Sequence, residues 1–505
     1  MSWQNYPFIR VIIPIVFGMV GANILIEHLS MNTLFILSCA MLAVLFFVLP
    51  KRETVCRNTI FSIVAMTFAF LVGMTLYTRA YQRIEKGIPQ DSTFCQGTLS
   101  EPPTEKANSW ALNLKQENGI HILLYIGKSH ADDSLTFAKL NIGDTIFATP
   151  KHLNPTTQAA DSIFQPYYNS LFNNGICATA YAASNQWTVH PCRLTAHPFH
   201  SLRSLQEKMH RIYADNGISG DTGSIIEAMT IGYKANLSKD VRTHYATSGV
   251  SHILAMSGFH VGIIAFLLQF VFFITIIPFR WQWLCNLFII IALWCFATIA
   301  GLSPSIVRAT LMFTILLLCQ SFSHELLSIN SCGLALFIML CINPLSIHHI
   351  GFQLSFLSVL GICIFGVSLI HLLQCRRIGF RILWEMIAIS FTCTLFTAPL
   401  TAYYFGYMPM LSLISNLAIT PFVYLIIAGS IFWWAFLWCP PVHHLLTDSL
   451  NWASQAMNRI TEYISSLPFA SIEWHPSLFT AISCYVPLLI IAFILKKHET
   501  RRTMG

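Results

Sequence analysis

Three short stretches set polar, cationic and small residues inside otherwise apolar sequence: Ser248–Val261, Gly301–Ala309 and Gly351–Phe356. The first contributes His252, Ser257, Gly258 and His260; the second Ser303, Pro304, Ser305 and Arg308; the third Gln353 and Ser355; Asn416 follows alone further on. A guanidinium one turn into an apolar span costs several kcal/mol in lipid, about 2–3 even on insertion scales, so Arg308 must face a partner or water. Two readings follow for each residue. Taken singly, Ser and Gly permit close helix packing while imidazole and amide groups bond across helices. Taken together, the groups predict a polar interior, which a polyanion requires because a charged backbone cannot enter hydrocarbon and is drawn to cationic or donor-rich walls.

Enzyme chemistry is not written in the chain. A hydrolytic metal site needs clustered ligands with an open position, and no His-x-His-x-Asp-His run occurs. His443-His444 is the nearest cluster, but adjacent side chains rarely converge on one ion, so a loop pair is expected there. The nucleophile elbow, the Walker loop and the dinucleotide fingerprint are likewise absent, and Ser257-Gly258 alone makes no hydrolase. The expectation is a chain with no catalytic residues, no metal and no cofactor.

The elements that must position these residues follow from composition. Of 505 residues, 55% are hydrophobic and 10% charged, whereas soluble domains carry about 25% charged residues. Apolar runs long enough to cross about 30 Å of hydrocarbon must bond every backbone amide internally, which helices do. The fold class is therefore a polytopic α-helical membrane bundle. The net charge of +7 is carried mostly by short loops at helix ends, where it orients the chain.

Spans are predicted near residues 11–27, 34–49 and 60–77, the first made less apolar by Gly18, Gly21 and Asn23. A signal peptide is the competing reading of that start, but the small-residue cleavage site is missing, so a retained helix is expected. The basic loop at 51–57 contrasts with Glu27–Asn32, which lacks Lys and Arg, and this places the loop and the N-terminus in the cytoplasm.

Residues 78–222 then emerge on the far side. They carry ordinary polarity, Pro102-Pro103, Asn118-Gly119 and alternating runs at Ser109–Lys115, His121–Ile126, Thr145–Thr149 and Cys177–Ala182. Five or six such strands suit a small OB-like β-barrel, with a sandwich fitting nearly as well. Lys115, Lys128, Lys139, Lys151, Tyr125 and Trp110 are candidates to hold a single strand at a barrel mouth, against the plain reading of a solvated face.

Of 15 cysteines, all but Cys95, Cys177 and Cys192 lie outside this domain, mostly in apolar spans where Cys behaves as a small hydrophobe. A disulfide joining Cys95 to Cys177 or Cys192 is expected in the oxidising compartment.

After an amphipathic stretch at 199–215, five crossings are predicted near 252–275, 283–300, 304–320, 327–342 and 352–372, ending at the basic run Cys375–Arg381. The tail Lys496–Arg502 is equally basic and should also be cytoplasmic. Three full crossings at 382–404, 411–438 and 478–495 would leave it outside. Pro421 divides the middle stretch, so 411–420 and 421–438 are predicted as a broken or re-entrant pair.

The polar clusters resemble the ComEC-type competence proteins. Glu227–Gly232, Gly249 and Ser251–Val261 resemble that family's leading signature; Gly301–Ser305 with Arg308-Ala309 resembles the second; Asn343-Pro344 with Gly351–Phe356 resembles the third. Pro399, Phe405, Asn416 and Pro421 fall where later family residues stand, and Phe164–Tyr168 with Gly175–Ala178 echo the close of an OB-like module. His349 departs from an expected acidic residue, which removes support for a proton or ion relay at that position. The long relatives' C-terminal metallo-β-lactamase-like domain has no counterpart here, so the resemblance implies a short form.

The resemblance implies an inner-membrane channel component that passes single-stranded DNA into the cytoplasm during natural transformation. Residues 1–77 would be N-terminal helices, 78–222 the extracytoplasmic OB-like domain, 223–440 the channel core, and 441–505 a last crossing with a basic tail. Membrane lipid, a DNA receptor, and a cytoplasmic motor or single-strand-binding protein are the implied partners, with homo-oligomerisation open. The alternatives are a secondary transporter of a small anion, which predicts paired broken helices and repeats that the chain does not clearly show, and a non-transporting membrane assembly protein.

Overall fold

The computed structural model describes residues 7–26, 30–48, 55–89, 94–101, 103–128, 137, 140, 143–157, 165–190, 198–274, 281–322, 328–373 and 377–504. It divides into two compact units, Met1–Arg203 with Leu336–His349, and Ser204–Ala335 with Ile350–Gly505.

The first unit opens with three helices, α1 (Pro7–Leu25), α2 (Met31–Val48) and α3 (Val55–Glu85). The small residues of α1 are explained by its packing. A Cβ on Gly18 would strike the Phe70 carbonyl, and one on Gly73 would strike that of Ile15, so α1 and α3 approach backbone to backbone. Asn23 accepts a hydrogen bond from Tyr77 Oη at 2.7 Å. The third helix continues past the predicted end at 77 to Glu85.

The sheet comprises β1 (Cys95–Leu99), β2 (Thr104–Glu105), β3 (Ser109–Lys115), β4 (His121–Gly127), β5 (Thr145–Ala148), β6 (His152–Pro155), β7 (Ile176–Ala182) and β8 (Trp187–His190), with α4 (Gln165–Asn173) before β7. All four alternating runs read from the sequence are strands. In β4 Ile122, Leu124 and Ile126 are fully buried while the intervening residues are not, as the two-residue side-chain period requires. The expected barrel closure is corrected. The hydrogen-bonded order is β6-β7-β4-β3-β1-β5-β8, with β2 on β3 and β6 and β8 at the open ends. Between β5 and β6 the chain passes through Thr149-Pro150-Lys151, and Pro150 has no N–H to continue a ladder. Three residues reach at most about 11 Å, so the open sheet curls to bring β6 round to its β7 edge.

The second unit contains α5 (Pro198–Asp215, in the unit from Ser204), α6 (Gly220–Thr230), α7 (Lys239–Thr247), α8 (Ser251–Leu254), α9 (Gly258–Ile274), α10 (Gln282–Ile299) and α11 (Pro304–Phe322). Next come α12 (Ser328–Ile342), which ends in the first unit, and α13 (Ile350–Gly361), joined by a π turn at Ile362–Gly366 to α14 (Val367–Leu372). The remainder is α15 (Ile378–Phe405), β9 (Tyr407–Pro409), α16 (Ser412–Ala435), α17 (Pro440–Ser466), β10 (Ser471–Glu473), α18 (Leu478–Ser483) and α19 (Tyr485–Met504).

Among the described residues of the whole chain, 7 helices are long and apolar enough to cross a membrane, and shorter apolar helices lie at Met31–Phe47, Gly258–Phe273, Ile329–Ile342 and Leu478–Ile494. The protein is a multi-pass helical membrane protein. The broken pair expected at Pro421 is also corrected: α16 runs unbroken from Ser412 to Ala435 with Pro421 inside. Thr420 Oγ1 donates to the Asn416 carbonyl at 2.6 Å, adding a side-chain bond in the turn that the proline weakens. The loop residues 27–29, 51–54 and 374–376 used to orient the chain lie outside the described residues, as does Phe164.

Candidate functional site

In the second unit the signature Ser248–Val261 folds as a helix break. Gly249 has φ +79°, and a Cβ there would lie 2.6 Å from Ser412 Cβ, so only glycine fits. The one-turn α8 stops at Leu254 and α9 starts at Gly258. Between them Ser257 turns both its N–H (3.1 Å) and its hydroxyl (3.2 Å) to His260 Nδ1. Accepting from a backbone N–H fixes Nδ1 as unprotonated, so the His260 proton sits on Nε2. That ring is fully buried and Nε2 has no hydrogen-bond partner among the described residues. On the other side of the break Ser251, His252, Ala255 and Gly258 are exposed.

A residue that the sequence reading missed lies within electrostatic reach of His260. Gly232, at φ +73° and with its Cβ position 2.8 Å from the Ala300 carbonyl, turns the chain after α6 and leads to the exposed Lys234. Arg242 Nη2 donates to the Lys234 carbonyl at 3.0 Å. Burial of its surroundings and the Arg242 charge hold the Lys234 ammonium below its ordinary pKa. His252 and Lys234 both lie within electrostatic reach of His260. The signal available in the sequence was a lysine two residues beyond a positive-φ glycine inside the signature.

The other candidates are placed separately. Ser303 caps α11, its carbonyl accepting from Ile306 N at 3.0 Å and Val307 N at 3.1 Å, with Pro304 exposed and Ser305 half-buried. Arg308 is 4% exposed; its Nη2 donates to the Gly351 carbonyl at 2.9 Å, and its Nε has no partner among the described residues. Gln353 Oε1 accepts from Tyr404 Oη at 2.9 Å. Ser355 is half-buried, its carbonyl accepting from Ser358 Oγ, and Asn416 is half-buried on α16. His260, Arg308 and Gln353 thus make three separate contacts and do not meet one another, while Lys234 and His252 are exposed. His443 is buried against Trp433 while His444 is exposed on α17.

Three side chains of α5 pin it to its neighbours. Gln206 Nε2 donates to the Ile231 and Ile299 carbonyls at 2.8 and 2.9 Å, so one amide ties the ends of α6 and α10. One turn on, His210 Nδ1 lies 2.9 Å from Glu227 Oε1. Tyr213 Oη accepts from Trp434 Nε1 at 2.9 Å. Glu227 is 2% exposed, and its Oε2 has no partner among the described residues. Burial raises its pKa above the ordinary carboxylate value, opposed by His210.

A family model described as competence protein matches residues 229–498. The chain belongs to the competence protein family. It is 27% identical over 212 residues to ComE operon protein 3 of Bacillus subtilis (strain 168), across 42% of this chain and 26% of that protein. The match therefore spans about a quarter of the relative's length. No solved structure matches. The family region takes in the Lys234–His260 surface, α9–α11 and the hairpin α16–α17.

In the first unit, β4 and β7 present a second surface. Tyr125 and Tyr181 are register partners and stack at 5.0 Å and 13°, with Tyr125 Oη bonded to Tyr167 Oη. Lys128, Lys151, His152 and Tyr181 line an adjoining cleft of about 360 Å³. Trp110 is committed to an internal stack, 4.9 Å from Phe137, which stacks in turn on Trp187 at 5.0 Å. Lys115 lies at the other end of β3, opposite His121, and Lys139 lies outside the described residues.

No bridge joins Cys95 to Cys177: both are free and buried. Burial pushes their thiols up to about 11 and about 12, which keeps them protonated and unreactive, and the Cys177 thiol donates to the Gly87 carbonyl. Cys192 lies outside the described residues.

Proposed function

We propose that the chain is the part of an inner-membrane passage through which single-stranded DNA enters the cytoplasm in natural transformation. The observation that carries this is the exposed Lys234 ammonium together with the exposed polar and small residues Ser251, His252, Ala255 and Gly258, inside the region matched by the competence model. Small residues leave room for a chain of nucleotides, and cations replace part of the counterion atmosphere that the phosphates lose on leaving water. Arg308, held on the Gly351 carbonyl, would add a fixed positive charge to the helical unit without touching the strand. The chain performs no hydrolysis in this reading; partners supply the energy, and a receptor and a cytoplasmic motor or single-strand-binding protein are the classes required.

The β domain would receive the strand from outside. Tyr125 and Tyr181 offer a flat, sequence-tolerant stacking platform beside Lys128 and Lys151, the combination that single-strand binders use. Both termini would be cytoplasmic and the β domain of residues 78–222 extracytoplasmic, with the α5–α6 turn at its end entering the helical unit beside α17. The test is entry of labelled DNA into a naturally competent host lacking the chain, with and without the wild-type copy. Restored entry is expected, and unchanged transformation on deletion would reject the proposal.

A further inference from the structure

Helix α17 is 27 residues long, about 40 Å, and is too polar to appear among the candidate spans. Its neighbour α16, at 24 residues or about 36 Å, is one of them. The two form an antiparallel hairpin. Near its turn Trp433 Nε1 donates to Thr447 Oγ1 at 2.8 Å, and a Cβ on Gly429 would lie 3.0 Å from Leu450. At the far end β9, just before α16, pairs with β10, just after α17, through Tyr407↔Glu473, Met408↔Ile472 and Pro409↔Ser471. The chain therefore leaves and returns to one level, and whatever depth α16 traverses α17 traverses too.

The buried face of α17 holds Leu450, Ala453, Met457 and Ile464. Its opposite face exposes His444, Asp448, Gln455, Arg459, Glu462 and Ser466, with the half-buried Asn451 in the same line. At about 100° per residue these fall within an arc of about 80° and run about 33 Å, close to the thickness of the hydrocarbon layer. Each charge facing lipid would cost about 2–3 kcal/mol, so the stripe faces water. A second segment agrees. The turn between α5 and α6 exposes Asp215, Asn216 and Asp221 and docks midway along α17, where Asn451 Nδ2 donates to the Gly217 carbonyl at 3.1 Å and Ser454 Oγ to that of Thr222 at 2.9 Å.

We infer that α17 is a polar crossing of the membrane whose stripe lines a water-filled space within the helical unit. With α15, α16, α17 and the helix ending in the tail, the chain crosses four times after the basic run at 377–381, which puts that run and Lys496–Arg502 on one side without any break at Pro421. The stripe carries both signs of charge, whereas the core of an interface between copies is depleted of charge, so water is its occupant. The inference rests on α16 crossing the membrane, and on the passage reading only for what the water serves.

The test uses the full chain in membranes with one cysteine retained at a time: native Cys439 in the α16–α17 turn, Asp448→Cys, Gln455→Cys and Glu462→Cys on the stripe, and Ile431→Cys on the exposed apolar side of α16. A membrane-impermeant maleimide is added to spheroplasts or to inside-out vesicles. Cys439 should react only from the side of the 377–381 run, and the stripe positions at least about tenfold faster than Ile431→Cys, because the thiolate forms only where water reaches it. Any stripe variant that fails to accumulate is replaced by Ser466→Cys or His444→Cys. Labelling of Cys439 from the opposite side would overturn the crossing. Stripe rates equal to that of Ile431→Cys, or efficient Gln455→Cys cross-linking between two copies, would overturn the hydrated space. The labelling needs no DNA, so loss of the uptake proposal with this pattern intact would leave the crossing standing.

Discussion

Replacing Lys234 tests whether its charge meets the cargo. The side chain is exposed, and the contact that fixes the loop, Arg242 Nη2 to the Lys234 carbonyl, belongs to the backbone and survives any substitution. A phosphate about 7 Å from the ammonium interacts at about 2.4 kcal/mol with an effective dielectric of about 20. Screening over a Debye length of about 8 Å leaves about 1 kcal/mol. Lys234→Gln should then slow DNA entry about fivefold and Lys234→Glu, which replaces attraction by equal repulsion, about thirtyfold, with Lys234→Arg close to wild type. The assay is the initial rate of labelled DNA entry at matched protein levels, repeated at lower ionic strength, where the gap should widen. Equal defects in the Gln and Glu variants would assign Lys234 a packing role. A Lys234→Glu variant within twofold of wild type would remove the residue from the path.

Four further outcomes are expected. Gly249→Ala, which forces a β-carbon against Ser412 and Pro409 at φ +79°, should destabilise the protein by about 2–3 kcal/mol, read as a lower melting temperature in detergent. Glu227 has a raised folded-state pKa, so the folded protein binds its proton more tightly than the unfolded chain, and this contribution to stability falls as pH rises from the ordinary carboxylate range; Glu227→Gln should flatten the dependence, and a lower melting temperature at every pH would contradict that sign. Tyr181→Ser should weaken single-strand binding by the full chain in nanodiscs about fivefold to a hundredfold by removing a stacking face, with little sequence preference in the loss. Arg308→Met should leave the melting temperature level or higher, since a buried guanidinium with one hydrogen bond and an unpartnered Nε is costly where it lies, while DNA entry falls. A melting temperature that falls in step with entry would make Arg308 a structural pin between α11 and α13.

Long-range pattern was legible where a local period survives. The alternation Ile122, Leu124, Ile126 announced β4 as a strand with one buried face, and the apolar runs announced their helices because lipid leaves the backbone no alternative. Closure of the sheet was not legible, since it depends on whether β5 and β6 continue as one ladder, and the single residue Pro150 between them decides that through a missing donor. The site was legible as residue types and not as geometry. His260 and Arg308 are buried, but which partner each one takes, Ser257 three residues away or the Gly351 carbonyl 43 residues away, is not readable from residue type. Lys234 looked like any loop lysine until the fold brought it within reach of His260.

The remaining difficulty, the parity of the last crossings, shows why hydropathy fails where a membrane protein holds water. A window average ranks a helix by its mean transfer cost, which is the right quantity only when the whole circumference meets lipid. Along α17 one face is sealed by α16, α6 and α7, and the other carries polar residues, three of them charged, at three- and four-residue steps. The mean is low although no polar atom need touch hydrocarbon. The sequence did hold the signal, in the period of Asp448, Gln455, Arg459 and Glu462 and not in their average. Pro421 drew attention instead because proline usually breaks helices, yet in a membrane the neighbours and Thr420 carry the helix through. A polar period as long as the bilayer is thick, on a helix whose two ends are held level with those of an apolar partner, therefore marks a wet wall.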